Sequence, residues 1–133
     1  AREELEHFER VQALLQRRGI RLRPLAAPPY GAGLAALVRR GEPQRMLDSL
    51  LVAGLIEARS HERMALLAAH SADPELRRLY GGLLASEARH FGVYWVQCER
   101  RWPRAAVKTR LGELAAAEAE LLATLHPEPR MHS

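Results

Sequence analysis

Glu87-Ala88-Arg89-His90 and Glu4-Leu5-Glu6-His7 each set a carboxylate and an imidazole three residues apart, and the reading of these two stretches decides the fold. On a helix, positions i and i+3 share a face, so each pair can grip one metal ion. Spacing alone is a weak signal, since a chain of this composition would give roughly 0.6 such matches by chance. Weight comes from the apolar pattern around the two pairs and from Glu57, which lies between them.

At 133 residues the chain is long enough for one core. It is rich in Ala, Leu, Arg and Glu and poor in aromatic and β-branched residues, which favours an all-helical protein. No apolar run reaches the length of a membrane span and no charged-then-apolar leader is visible, so no membrane partner is expected. The single cysteine, Cys98, excludes an internal disulfide and fits the reducing cytoplasm, with a small, partly buried apolar role. A net charge of +4 is carried by arginine pairs, Arg17-Arg18, Arg39-Arg40, Arg77-Arg78 and Arg100-Arg101. Such pairs suit phosphate contacts, although Arg-rich helical proteins without a nucleic-acid partner are common. Residue 1 is Ala and the first Glu-x-x-His falls within two turns of it, so the first element is expected to start earlier than the given sequence.

Apolar periodicity and helix punctuation divide the chain. Residues 1–18 read as a helix with Leu5, Phe8, Val11, Leu14 and Leu15 on one side, stopped by Gly19. Residues 20–30, with Pro24, Pro28 and Pro29, read as an irregular connection. A short helix over about 32–40 ends near Gly41, and Pro43 opens a long helix to about residue 70. Ser71-Ala72-Asp73-Pro74 is a stop and restart, with Asp73 as N-cap and Pro74 at the first helical position. The next helix is expected to run to about Trp102, and a last one over about 105–125 has Val107, Leu111, Leu114, Leu121 and Leu122 as its apolar side. Residues 1–125 are thus expected to form one helical domain, with 126–133 a disordered tail.

This order implies an antiparallel bundle in which two long helices meet at a turn near Ala72. Glu57 and Glu87 are equally far from that turn, so at a fixed rise per residue their carboxylates sit at one height. Their stripes read Leu50, Ala53, Gly54, Glu57, His61, Met64, Leu67 and Leu76, Tyr80, Leu83, Glu87, His90, Tyr94. The first pair lies on Glu4, His7, Val11, Leu14. In each stripe, ionisable residues hold positions that the periodicity assigns to the core. Unpaired buried carboxylates are costly and call for a compensating cation. Three glutamates and two histidines at one level suit a dinuclear site of the ferritin-like, carboxylate-bridged kind.

Blander readings stand beside this one. Glu4 and His7 could form a solvated face at a helix end, Glu87 and His90 a buried pairing with Arg or backbone, and Glu57 a salt bridge to Arg59, Arg63 or an arginine of a partner helix. His61 could support the site or merely pack in the core. Other chemistries have no footing, because no Gly-x-Gly-x-x-Gly, P-loop, His-Glu-x-x-His or cysteine metal motif is present. Asp48 and Asp73 are the only aspartates, which leaves no candidate Ser–His–Asp assembly.

Three segments carry a more specific likeness: Arg2-Glu3-Glu4-Leu5-Glu6-His7-Phe8-Glu9, Leu55-Ile56-Glu57-Ala58-Arg59-Ser60-His61-Glu62-Arg63 and Leu84-Ala85-Ser86-Glu87-Ala88-Arg89-His90-Phe91. In these the chain resembles the tRNA 2-methylthio-N6-isopentenyladenosine hydroxylases, and the likeness extends to Ala32-Gly33-Leu34 and Arg110-Leu111-Gly112-Glu113-Leu114. The resemblance implies a ferritin-like non-haem di-iron monooxygenase with O2 as co-substrate, acting on the isopentenyl side chain of a hypermodified adenosine beside the tRNA anticodon. It implies that Glu4 and His7 bind one iron, that Glu87 and His90 bind the other, and that Glu57 is a terminal or bridging carboxylate. It also implies tRNA as partner and a reductase or ferredoxin-like electron donor. The family has a further glutamate on a helix ahead of the first pair, so the bundle is expected to lack its first helix here. His61 departs from the pattern, which has a smaller residue at that position. Two rivals remain: another ferritin-like di-metal protein handling iron or peroxide, and a metal-free helical interaction module.

Overall fold

A computed structural model of the chain describes residues 2–123, 127 and 131. Among them are six helices and no strand: α1 (Arg2–Arg17), α2 (Pro29–Ala36), α3 (Gln44–His70), α4 (Pro74–Gly81), α5 (Leu84–Glu99) and α6 (Arg104–Ala123). The fold is the all-α, ferritin-like antiparallel bundle expected. The expected tail lies largely outside the described residues.

The helix ends follow local chemistry. Gly19 takes a φ of +67°, the left-handed conformation that closes α1. α2 begins at Pro29, earlier than expected, because proline's fixed φ suits a first helical position. At the α3–α4 turn the Asp73 carboxylate caps α4 by accepting hydrogen bonds from the Glu75 and Leu76 amides at 2.8 and 3.3 Å. The helix expected to run unbroken from Pro74 to Trp102 is instead two. Gly81 and Gly82 weaken the helix there, Gly82 and Leu83 tighten into i→i−3 bonds to Leu79 and Tyr80, and the Ser86 hydroxyl donates to the Leu83 carbonyl at 2.7 Å.

α3 is the hub, packing chiefly on α5 and α4 and also on α6 and α2. The apolar core gathers Tyr30 and Leu34 of α2, Leu47, Leu51 and Val52 of α3, Cys98 of α5, and Val107 and Leu114 of α6. Cys98 is more deeply placed than expected, fully buried, and burial raises its thiol pKa. α2 and α6 approach closely at Gly33, where a Cβ would lie 2.6 Å from the Leu121 Cδ2 methyl. α1 departs from its expected stripe. Leu14 is buried and His7 half-buried, while Leu5, Phe8 and even Val11, which shares their stripe, are exposed, so α1 meets its neighbours along a narrower strip than its apolar pattern covers.

Two buried carboxylates brace the core. Asp48, fully buried, accepts from the Arg39 amide at 3.0 Å and from the Arg39 and Arg110 guanidiniums at 2.7–2.9 Å. Burial opposes its charge, but these donors prevail and hold its pKa far below the usual carboxylate range. Glu118 accepts from the Tyr30 hydroxyl at 2.6 Å and from Arg59 at 3.0 Å. An Asp48→Ala variant leaves two guanidiniums facing a buried void, and we expect it to lose about 3–5 kcal/mol of stability. Urea unfolding measures this, and a loss under about 1 kcal/mol would mean that Asp48 braces nothing.

Candidate metal centre

Three helices bring the five predicted residues to one level. α1 supplies Glu4 and His7, α3 supplies Glu57, and α5 supplies Glu87 and His90. His7 Nδ1 lies 3.4 Å from Glu87 Oε1 and 3.7 Å from Glu4 Oε2. His90 Nδ1 lies 3.0 Å from Glu4 Oε1 and 3.8 Å from Glu57 Oε2. One ligand atom from each of Glu4, Glu87 and His90 falls within 4.8 Å of the others. The Glu57 and Glu87 carboxyls come close enough across the α3–α5 interface for each to disfavour the other's charge. The equal distance of these two glutamates from Ala72 thus emerges as contact, despite the break between α4 and α5.

A second ring of partners fixes the imidazoles. Ser86 Oγ lies 2.9 Å from His7 Nε2, and its own hydrogen already goes to the Leu83 carbonyl. The serine oxygen therefore accepts, and His7 Nε2 carries a proton. His90 Nε2 lies 2.9 Å from Glu3 Oε2, and an ionised carboxylate only accepts, so this nitrogen is protonated too. Arg89 anchors the other Glu3 oxygen at 2.6 Å. Both rings consequently turn Nδ1 toward the carboxylates, where it holds a proton or, once deprotonated, presents a lone pair to a metal ion.

The electrostatics follow from who is near whom. Among the described residues no Lys or Arg ion-pairs with Glu4, Glu57 or Glu87, and only the two imidazoles do. Burial, then the close Glu87 carboxyl and its charge, push the Glu57 carboxyl up to about 7. Burial works against a charged His90, but the hydrogen bond with Glu3 and the Glu4, Glu57 and Glu87 charges outweigh it and raise its pKa. Glu3 is lowered by its bonds with His90 and Arg89. Glu87 is 4% exposed, so this acidic group sits in low-dielectric surroundings with no full countercharge. The donor set, carboxylates and imidazole nitrogens, suits a hard or borderline divalent cation.

The blander partners do not materialise for Glu57. Arg59 turns to Glu62 and Glu118, and Arg63 to the Met131 carbonyl. Glu4 does lie half in solvent, with 56% of its side chain exposed, while it also bridges toward both imidazoles. His61 is half-buried and makes no hydrogen bond or ion pair among the described residues. Sequence reasoning missed Ser86 and Glu3. Ser86 was within reach, because it lies one turn before His90 on a buried stripe and is polar. Glu3 was not, because only the packing of α1 on α5 places it at His90. A recess of about 190 Å³ opens beside the cluster, lined by Glu4, Glu57, His90, Val93 and Tyr94.

Comparison with known proteins follows the same line. A model of the family described as tRNA-(MS2IO6A)-hydroxylase (MiaE) matches residues 1–133. The chain is 46% identical over 133 residues to a tRNA 2-(methylsulfanyl)-N(6)-isopentenyladenosine(37) hydroxylase of Pseudomonas putida, covering all of this chain and 64% of that one. It is 36% identical over 132 residues to the enzyme of that name from Salmonella typhimurium, covering 99% of this chain and 48% of the other. The chain therefore spans about half to two thirds of the length of these relatives. Among solved structures it is similar to "Protein 43 with aldehyde deformylating oxygenase activity from Synechococcus", with 65% identity and a TM-score of 0.96, covering 99% of this chain and 67% of that one.

The raised carboxyl makes a prediction for the metal-free protein. Glu57 takes up a proton more readily folded than unfolded, so its contribution to stability is full below about 4.5 and is lost as pH rises through about 7. His90 is raised as well and acts in the same direction, its contribution fading as pH rises above its ordinary 6.5. Glu57→Gln removes the larger repulsion, so we expect a flatter fall of melting temperature between pH 5 and pH 8 and a higher melting temperature at the alkaline end. Thermal unfolding with chelator present checks this, and a slope equal to that of the parent chain would contradict it.

Proposed function

The chain belongs to the tRNA-(MS2IO6A)-hydroxylase family, and on that premise we propose that it acts in the O2-dependent, di-iron hydroxylation of the isopentenyl side chain of 2-methylthio-N6-isopentenyladenosine next to the tRNA anticodon. The observation that carries this reading is the convergence of Glu4, His7, Glu57, Glu87 and His90 with both Nδ1 atoms turned inward. Glu4 and His7 would hold one iron, Glu87 and His90 the other, and Glu57 would be a terminal or bridging ligand. When bound, two ferrous ions supply electrons and open positions for O2.

The chain's own residues supply the rest. Ser86 and Glu3 keep the imidazoles in the tautomer that leaves Nδ1 for the metal, and Arg89 steadies Glu3. Glu57 gives up its raised proton as a cation arrives, so loading releases protons. Val93 and Tyr94 line the recess beside the cluster and give an apolar side chain a place against the site. One C–H of the substrate becomes C–OH and the second oxygen atom leaves as water. This balance consumes two protons and two electrons per O2, so a reductase or ferredoxin-like donor is required.

A second reading has its own support. The solved structure at 65% identity is described as having aldehyde deformylating oxygenase activity, which would place an aldehyde where the tRNA side chain is proposed.

Anaerobic Fe(II) loading followed by air, with metal analysis and mass spectrometry of digested tRNA, tests the main reading. We expect about two irons per chain and a nucleoside heavier by one oxygen atom, with Glu87→Ala and His90→Ala losing most of the iron. Loaded protein that converts a long-chain aldehyde and leaves tRNA untouched would favour the second reading. An absence of iron both here and in a chain extended to the length of the relatives would sink the two together.

A further inference from the structure

A groove of about 670 Å³ runs between α1 and α4, lined by Arg10, Ala13, Leu14, Arg17, Arg78 and Gly82 together with Glu75 and Leu79. Its charged lining is three arginines against one glutamate. That glutamate is already engaged, since Glu75 accepts from Arg17 at 2.6 Å and from Arg18 at 2.7 and 3.2 Å. Arg10 makes no hydrogen bond or ion pair among the described residues, and its Nη1 lies 3.8 Å from where a Gly82 side chain would begin. Among the described residues Arg78 uses only Nε, on the Pro74 carbonyl of its own helix at 3.2 Å, and its terminal nitrogens are uncommitted there. Two fork-shaped cations thus face one concave surface with no anion to satisfy them.

Place matters as much as charge. Arg10 is one turn beyond His7 on α1, and Gly82 is one turn before Ser86, the residue that holds His7. The groove therefore leads to the outer edge of the carboxylate–imidazole cluster. The arginines of the helix core are spent elsewhere, Arg39 and Arg110 on Asp48, Arg59 on Glu118 and Arg89 on Glu3, and of the arginines without a partner among the described residues Arg10 is the one that lines this groove. Guanidinium groups match phosphate oxygens in a two-pronged way that few surface features do.

We infer that the α1–α4 groove binds the phosphodiester backbone of the RNA substrate, with Arg10 and Arg78 as the phosphate-contacting residues that position the target nucleoside at the cluster. The inference rests on the tRNA reading above. Phosphate contacts fix register rather than sequence, so these residues set affinity and orientation while the recess at Val93 and Tyr94 faces the reacting side chain.

Binding of a fluorescein-labelled anticodon stem-loop RNA, followed by anisotropy across a salt series, tests it on the full chain. R10A/R78A is expected to bind about tenfold more weakly near physiological salt, with the slope of log affinity against log salt reduced by about two. Its iron content and melting temperature should match the parent, and R10K/R78K should recover part of the affinity. R100A/R101A removes two charges from a different surface and should cost far less. Parent-like affinity and slope in R10A/R78A, or an equal loss in R100A/R101A, overturns the groove while leaving the tRNA reading intact. A parent chain that binds no RNA at any salt overturns both.

Discussion

Glu57 and Glu87 come close across the α3–α5 interface, near enough that each carboxyl disfavours the other's charge, with no Lys or Arg paired to either among the described residues. Everything around the site answers that one conflict. Two carboxyl groups in contact cannot both stay charged in a low-dielectric setting, so one is held largely protonated up to about pH 7. The imidazoles of His7 and His90 draw in toward the same charge, and each is braced from behind, by Ser86 and by Glu3. A divalent cation would relieve the repulsion that protons only patch.

Comparison within the molecule sharpens the point. Asp48 and Glu118 are as buried as Glu87, yet each sits among guanidinium donors, and Glu118 also accepts from a tyrosine hydroxyl. Those two clusters are complete as they stand, and their role is to pin α2 and α6 to α3. The chain has arginines to spare for such work, and among the described residues none is placed against Glu57 or Glu87. A buried acidic cluster served only by titratable imidazoles is poorly designed for stability and well designed for ligand exchange.

The sequence made part of this legible for clear physical reasons. The α3–α4 turn could be read because Asp73 and Pro74 are a cap and a first-position proline, and from the turn the common height of Glu57 and Glu87 follows by counting. The break at Gly82 escaped because paired glycines weaken a helix without dictating where it stops. The α1 stripe misled for a related reason. Leu5, Phe8 and Val11 are regularly spaced, but periodicity does not say which neighbour an apolar side meets, and in the structure that side is exposed. Glu3, Arg89 and the groove arginines act between helices, so their roles exist only once α1 is laid on α4 and α5.

That packing of α1 has a consequence for how the site is assembled. Leu14 is the one buried residue of α1, and most of what ties the helix down is polar: Glu3 to His90 and Arg89, His7 to Ser86, Arg17 and Arg18 to Glu75, and Arg18 to Asp73. Contacts of this kind are individually weak and screened by salt. α1 nonetheless carries two of the five clustered residues. A cation held jointly by α1, α3 and α5 would therefore be a fastener for α1 as well as a reaction centre, and docking of the helix and loading of the site would be linked equilibria. The same helix presents Arg10 to the groove one turn away. Whatever orders α1 would thus set the position of the metal ligands and of the phosphate-binding arginines together.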